Sequence, residues 1–392
     1  MSQPTPEGTD AEDAPASDGT LPSPDRSAMP DRATELDRAT ELSRATARVA
    51  PTSRRVALDA MGGDKAPGEI VLGAVQAARE YGMGVFLVGK EDVIRAELAK
   101  HDTQGLDLPI IHTDEAIEMD EHPAMAVKRK KNASMTLALQ QVRDGAALGA
   151  VSAGNSGAMM AASLFTLKRV PGVERPALGG IFPTRDGVCL VIDMGANTDC
   201  KPEYLRQFAL MGSIYMERIF HVHSPRVGLL ANGEEESKGN QLVQETHQLL
   251  KSSASTLGLN FIGNVEGRDI PTGVVDVVVC DGFVGNVVLK LSEGLAETLI
   301  GMLRAQMTSS FISTLAAGVL RPGLRKVFKR LDPDEYGGVP LLGINGSAII
   351  SHGRSNAKAI KNALRIARQT AEAGVAAAIA DGLAKLRVVA PD

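Results

Sequence analysis

Tryptophan is absent from this 392-residue chain, and aromatic residues of all kinds make up only 3% of it. Proteins that hold single-stranded nucleic acid stack its bases on aromatic side chains, so this chain is poorly equipped for that role. The net charge of -5 also argues against a general polyanion binder, and no nucleic-acid partner is expected. Cysteine is scarce too: Cys189, Cys200 and Cys280 form no C-x-x-C pair. They read as reduced core thiols of a cytoplasmic protein, which excludes a disulfide framework and a thiolate zinc site. The seven histidines are scattered; His221 and His223 stand two apart without a carboxylate cluster, so both read as structural and no metal is expected. No apolar run reaches the roughly 18–20 residues of a membrane span. No apolar segment follows a basic start, as a secretory signal would require. The expected location is the cytoplasm, with any membrane contact peripheral.

Residues 1–53 are rich in Pro, Ser, Thr, Asp and Glu, and "DRATEL" at 31–36 repeats at 37–42 before decaying to "SRATAR" at 43–48. Such a segment cannot bury enough apolar surface to offset its ordering entropy. A disordered tail is expected there, ahead of a folded region over 54–388.

From Arg54 onward, short apolar runs that end in Gly, Asp or Asn alternate with helical patterns. "RVALD", "GVFLVG", "PIIHT", "GAVSAG", "GVCLVIDMG", "RVGLLANG", "NFIGNVEG" and "VVDVVVCDG" read as strands. Near-continuous apolar runs predict parallel strands covered on both faces, in an α/β sandwich with right-handed crossovers. Pro67 suits the first position of a helix over 67–80. One long Ala-rich helix is expected over about 355–386.

Ligands of such sheets sit at the carboxyl ends of the strands, where this sequence places polar turns. "ALDAMGGDKAP" (57–67) carries Asp59, Gly62 and Gly63. "SAGNSGA" (152–158) offers Gly154, Asn155, Ser156 and Gly157 at a helix start, where free N–H groups and the helix dipole favour an anion. The same glycines serve equally in an ordinary tight turn. The turn is neither a P-loop nor a G-x-G-x-x-G fingerprint, so a smaller anion than a nucleotide is implied. "DMGANTDCKPE" (193–203) supplies Asp193, Asn197 and Lys201; "NGEEESKGN" (232–240) supplies Glu234, Glu235, Lys238 and Asn240; "CDGFVGNVVLK" (280–290) supplies Asp281, Asn286 and Lys290. Together the turns predict a cleft on one strand edge lined by amide, carboxylate and ammonium groups. There is no G-x-S-x-G elbow and no cysteine beside a plausible histidine base. A covalent enzyme intermediate is therefore not indicated. The equipment suits attack by an external anion on a polarised carbonyl.

These motifs, with "KRKKNASM" (128–135), "RPAL" (175–178), "FIGNVEGRD" (261–269) and "YGGVPLLG" (336–343), closely resemble the bacterial phosphate acyltransferase (PlsX) family from about Arg55 to the C-terminal helix. The N-terminal extension has no counterpart in that pattern. The resemblance implies a three-layer αβα sandwich like that of isocitrate and isopropylmalate dehydrogenases. It implies reversible acyl transfer from acyl–acyl carrier protein to inorganic phosphate, giving acyl phosphate for phosphatidic acid and phospholipid synthesis through a membrane acyl-phosphate glycerol-3-phosphate acyltransferase. It implies a homodimer, peripheral association with the inner face of the cell membrane, and no metal or nucleotide cofactor. It marks Lys238 and Asn286 as catalytic. It puts phosphate on the 154–157 turn, with Asp59, Gly62, Gly63, Asp193, Asn197, Lys201 and Asp281 around it.

Residues 301–330 break the alternation. An apolar helical stripe there ends in Arg321, Arg325, Lys326, Lys329 and Arg330. It reads as core, as a dimer contact or as a membrane-facing tip, and the resemblance favours the tip at the dimer end. Two other functions fit the residues: a phosphotransacetylase-type enzyme using acyl-CoA, and a non-catalytic lipid-surface scaffold. A metal-dependent dehydrogenase would need a carboxylate cluster that the sequence lacks.

Overall fold

The computed structural model describes residues 55–389. The tail expected over 1–53, with its DRATEL repeat, lies outside the described residues. The first half of the chain runs β1 (Arg55–Asp59), α1 (Gly68–Tyr81), β2 (Val85–Gly89), α2 (Glu91–Leu98), β3 (Ile110–His112), α3 (Pro123–Arg129), α4 (Ser134–Arg143), β4 (Ala147–Ser152) and α5 (Ser156–Thr166). A hairpin of β5 (Ala177–Pro183) and β6 (Val188–Ile192) leads into α6 (Pro202–Phe220), β7 (Arg226–Leu230), α7 (Gln241–Leu257), β8 (Asn260–Val265) and β9 (Val277–Val279). Then come two long helices, α8 (Gly282–Met307) and α9 (Phe311–Leu331), followed by β10 (Val339–Leu342), β11 (Ser347–Ile350), α10 (Ala357–Glu372) and α11 (Val375–Val389).

All the strands form one 11-stranded sheet in the order β3-β2-β1-β4-β11-β10-β5-β6-β9-β7-β8. Successive strand residues point to opposite faces, and each face meets helices. Val56 and Leu58 pack with Ile70 and Val71 of α1 and with Ile360 and Leu364 of α10, whereas Ala57 joins Met135, Leu139 and Met159 of α4 and α5. In the other half, Leu190 and Ile192 pack on Phe208 and Tyr215 of α6, whereas Cys189 and Val191 face the layer that includes Val288 and Leu289 of α8. Each fully buried Leu or Ile contributes roughly 1.5–3 kcal/mol relative to exposure.

The sheet is mixed, which corrects the all-parallel expectation. β10 runs antiparallel to both β11 and β5, and β5 runs antiparallel to β6. Loop length accounts for two of these three reversals. Residues 184–187 join β5 to β6 and residues 343–346 join β10 to β11. Parallel neighbours need a crossover of a dozen residues or more, so four-residue links force hairpins. The three reversals leave β3, β2, β1, β4 and β11 parallel to one another, and β6, β9, β7 and β8 running the opposite way.

Helix boundaries move as well. Pro67 is the N-cap of α1, one residue before the helix begins. The segment expected over 301–330 belongs to a helical hairpin whose first member starts at Gly282. Its break comes where Ser310 Oγ accepts the Ser313 N–H at 3.1 Å, capping α9. The expected single C-terminal helix is two, interrupted at Gly374 with φ +64°. His221 closes α6 in a left-handed conformation, φ +54°.

Candidate active site at the strand ends

The turn of residues 193–197 is built around one carboxylate. Asp193 is completely buried. Its Oδ1 accepts from the N–H groups of Leu178 (3.0 Å), Gly195 (3.3 Å) and Ala196 (3.1 Å), and its Oδ2 accepts from Asn197 N (2.7 Å) and Asn197 Nδ2 (2.8 Å). Burial raises the Asp193 pKa from its ordinary value, and the donors partly offset this. Asn197 Nδ2 also donates to the Pro176 carbonyl at 2.8 Å. Asp193 and Asn197 are thus consumed in shaping the turn.

The next strand over is β9, and its exit locks onto this turn. Gly282 N–H donates to the Asn197 carbonyl at 2.7 Å. A Cβ on Gly285 would overlap the Asp193 carbonyl oxygen, so glycine is required for α8 to start there. Asp281 is the N-cap of α8 and accepts the Val284 N–H at 2.9 Å. Asn286 follows at the start of the second turn, half-buried, with its side chain against Gly195. Its amide has no hydrogen-bond partner among the described residues.

β7 flanks β9 on the other side, in parallel. Its exit loop holds Lys238: Gly239 N–H donates to Asn232 Oδ1 at 2.8 Å, and Lys238 N–H donates to the Glu235 carbonyl at 3.0 Å. Asn240 caps α7 through the Val243 N–H at 3.0 Å. Lys238 itself is exposed, and its ammonium has no partner among the described residues. Lys201 is also exposed and is the N-cap of α6. Three adjacent parallel strands thus deliver Asp193–Asn197, Asp281–Asn286 and Lys238 to one margin, at a strand spacing of about 4.8 Å.

The fourth turn lies elsewhere. It follows β4, whose direction is opposite to that of β6, β9 and β7, so the four turns do not share one strand edge as expected. There, buried Asp59 accepts from Ser134 Oγ at 2.6 Å, Ser152 Oγ at 2.7 Å and Met61 N at 3.2 Å. Burial raises its pKa as well. Ser152 Oγ in turn accepts the Gly154 N–H at 3.0 Å. A Cβ on Gly62 would come within 2.5 Å of Asp59 Oδ2 and 2.8 Å of Gly154 N, so the two glycine loops interlock. Gly63 adopts φ +107° beside the Gly353 carbonyl.

Several of the anion contacts expected from the sequence are spent internally. The Gly154 N–H is taken by Ser152, and Asn155 Oδ1 caps Ala158 N at 3.0 Å. Asn155 Nδ2 donates to the carbonyls of Met119 (2.9 Å) and Glu121 (3.1 Å). The first-turn N–H groups of Ser156 and Gly157 remain at the open end of α5.

α8 links the two margins. Glu297 is 3.8 Å from Arg354, the residue after Gly353, whose carbonyl accepts the Asp64 N–H at 2.8 Å. From Asn286 to Glu297 the helix rises roughly 16 Å.

Cys200 and Cys280 lie beside the 193–197 turn, donating to the Asn197 and Asp193 carbonyls. Burial pushes the Cys200 thiol up to about 12 and also raises Cys280 well above the ordinary thiol value, so neither is poised as a thiolate nucleophile. No group of three or more His, Cys, Asp or Glu that could hold a metal occurs among the described residues.

The model of a family described as "Fatty acid synthesis protein" matches residues 54–378. A phosphate acyltransferase of Geobacter sulfurreducens is 54% identical over 321 residues, which is 82% of this chain and 92% of that protein. One from Pelotomaculum thermopropionicum is 52% identical over 318 residues, 81% of this chain and 92% of that protein.

The chain belongs to the phosphate acyltransferase family.

Members are acyltransferases, and this phosphate acyltransferase moves an acyl group to phosphate in fatty acid and phospholipid synthesis. The fold is that of phosphotransacetylases. The enzyme from Streptococcus pyogenes superimposes with a TM-score of 0.60 at 16% identity, covering 86% of this chain and 99% of that one. EutD from Staphylococcus aureus gives 0.57 at 17% identity, covering 88% and 100%.

Sequence reasoning passed over Ser134 and Ser152, which hold Asp59, and over His247 and Asn264 behind the Lys238 loop. Ser134, Ser152 and Asn264 stand inside quoted motifs, yet nothing in the sequence says which buried group they meet.

Proposed function

We propose that this enzyme transfers a fatty acyl group reversibly from acyl–acyl carrier protein to inorganic phosphate, with Lys238 and Asn286 as its catalytic residues. The observation that carries this reading is the presence of an ammonium and an amide, both without partners among the described residues, on neighbouring strand exits. A phosphate oxygen attacks the thioester carbonyl carbon, forming a C–O bond and a tetrahedral oxyanion. The oxyanion collapses, the C–S bond breaks, and the carrier thiolate leaves and takes up a proton. Lys238 offsets the negative charge of phosphate and oxyanion. Asn286 donates a hydrogen bond to the oxyanion, a role that calls for a donor about 2.7–3.1 Å away. Asp193, Asn197 and Asp281 hold the turns rigid; Lys201 adds positive charge at the margin. No metal or nucleotide takes part in these steps.

The 154–157 turn contributes phosphate contacts through the open end of α5, with Asp59, Gly62 and Gly63 fixing its shape. Sheet twist supports one shared cleft. The five pairings from β4 to β9 each turn by about 20–25°, so nominally opposed strand ends rotate toward each other by roughly 100° or more. The dehydrogenase-like αβα description fits the helices on both sheet faces.

The helical hairpin is the proposed membrane and dimer tip. Phe283, Leu291, Leu295, Leu299 and Met302 are all more than half exposed along one side of α8. An apolar stripe of that length marks a contact surface, here for a second copy and for the inner face of the cell membrane. No helix among the described residues is long and apolar enough to cross a membrane. Such docking would hand acyl phosphate to the membrane acyl-phosphate glycerol-3-phosphate acyltransferase.

The donor is tested by competing long-chain acyl–acyl carrier protein against the same acyl-CoA. A carrier-protein preference in kcat/KM supports the reading, and a coenzyme A preference replaces it with a phosphotransacetylase-type enzyme.

A further inference from the structure

The loop bearing Lys238 is held from behind by core residues. The Glu235 carbonyl oxygen accepts two hydrogen bonds, from the Lys238 backbone N–H at 3.0 Å and from Asn264 Nδ2 at 2.8 Å. Asn264 Oδ1 stands 2.9 Å from Nδ1 of His247. Because the Asn264 nitrogen donates to a carbonyl, its oxygen is the end turned to the imidazole. Nδ1 therefore carries a proton and donates it. His247 on α7 and Asn264 on β8 are both buried, at 3% and 6% exposure. Phe261 packs edge-on against the imidazole, ring centroids 5.3 Å apart. The second ring nitrogen, Nε2, lies 3.7 Å from Glu236 Oε1 of the same loop, and Lys251 Nζ holds that carboxylate at 2.6 Å.

Burying an imidazole and an amide costs free energy unless their hydrogen bonds are used. Here both groups reach the 235–238 turn, one through the Glu235 carbonyl and the other through the Glu236 carboxylate. We propose that His247 and Asn264 are a positioning pair that fixes where Lys238 stands above the strand ends. Neither touches the reacting atoms. The inference rests on the reading of Lys238 as the catalytic cation. A displacement of about 1 Å at such a group costs on the order of 100-fold in rate.

His247→Phe keeps the ring packing on Phe261 and removes the donor. His247→Asn restores an amide donor near the position of Nδ1. Asn264→Asp keeps the acceptor for His247 and loses the donor to Glu235. The expected result is a fall of roughly 10- to 100-fold in kcat/KM for His247→Phe and Asn264→Asp, with most of it recovered in His247→Asn. In a Lys238→Ala background, His247→Phe adds less than about twofold, because the group it positions is gone. Hydrogen exchange at the Lys238 backbone amide should accelerate roughly tenfold in His247→Phe and stay unchanged in Lys238→Ala. Equal losses in both backgrounds, or unchanged exchange in His247→Phe, overturn the positioning role. Near-wild-type activity in Lys238→Ala overturns the catalytic reading instead, while the exchange data still decide the pair. If His247→Phe does not fold, Asn264→Asp carries the same comparison.

Discussion

Gly282 donates its backbone N–H to the Asn197 carbonyl at 2.7 Å, and a Cβ on Gly282 would come within 2.7 Å of that same oxygen. This one contact joins the exit of β6 to the start of α8, and so sets Asn286 beside the 193–197 turn. Gly282→Ala should push the helix start away from Asn197. We expect a loss of about 1–3 kcal/mol in stability and a larger proportional loss in kcat, measured by denaturant unfolding and steady-state assay.

Lys238→Ala and Asn286→Ala should each lower kcat by about 10²–10³-fold, as the loss of an oxyanion donor does. Neither side chain has a hydrogen-bond partner among the described residues, so melting temperatures should stay close to wild type. A variant that unfolds early would show a structural role and withdraw the assignment for that residue.

Asp59 and Asp193 give a pH prediction. Burial raises both above the ordinary value of 3.8. Between that value and the raised one, the native state binds more protons than the unfolded chain, so stability is lost as pH rises through the window. Asp59→Asn lacks its share of this titration. The melting-temperature advantage of wild type over Asp59→Asn should therefore be largest near the unfolded-state value and shrink on the way to neutral pH. An advantage that grows with pH would reverse the sign.

Two glycines separate interlocked turns from open surface. Gly62→Ala sets a methyl against Asp59 and Gly154 and should cost about 1–3 kcal/mol. A Cβ added at Gly294 on α8 would meet nothing within 4 Å, so Gly294→Ala should gain about 0.5–1 kcal/mol from helix propensity. Chemical denaturation of the pair checks both signs.

Leu295→Asp with Leu299→Asp tests the exposed stripe of α8. If the stripe has the proposed role, the pair should abolish adsorption to anionic vesicles or prevent the proposed self-association while leaving the isolated fold intact. Unchanged sedimentation with and without vesicles would leave the stripe without either role.

The placement of the candidate turns was legible in the sequence because strand ends announce themselves. Apolar runs that stop at Asp59, Asp193 and Asp281 fall at or just beyond the ends of β1, β6 and β9. What local pattern cannot carry is direction. Residues 184–187 and 343–346 make two pairs of strands hairpins, and only together with the antiparallel pairing of β10 and β5 do they leave the β4 exit, which bears the 154–157 turn, running opposite to the strand exit that bears Lys238. Nor does a turn's composition reveal which of its groups are already satisfied. Asn155 and Asn197 look like ligands in the sequence, yet their amides hold the protein's own backbone. Lys238 and Asn286 stand out once those partners are counted.

In the proposed reaction a phosphate oxygen attacks the thioester carbonyl directly. This step is tested by supplying purified enzyme with acyl–acyl carrier protein and phosphate labelled with oxygen-18 at all four positions, then weighing the acyl phosphate by mass spectrometry. Direct attack gives a product that retains all four labels and whose formation collapses in Lys238→Ala. A product carrying three labels, with its bridging oxygen drawn from a free fatty acid, would contradict it.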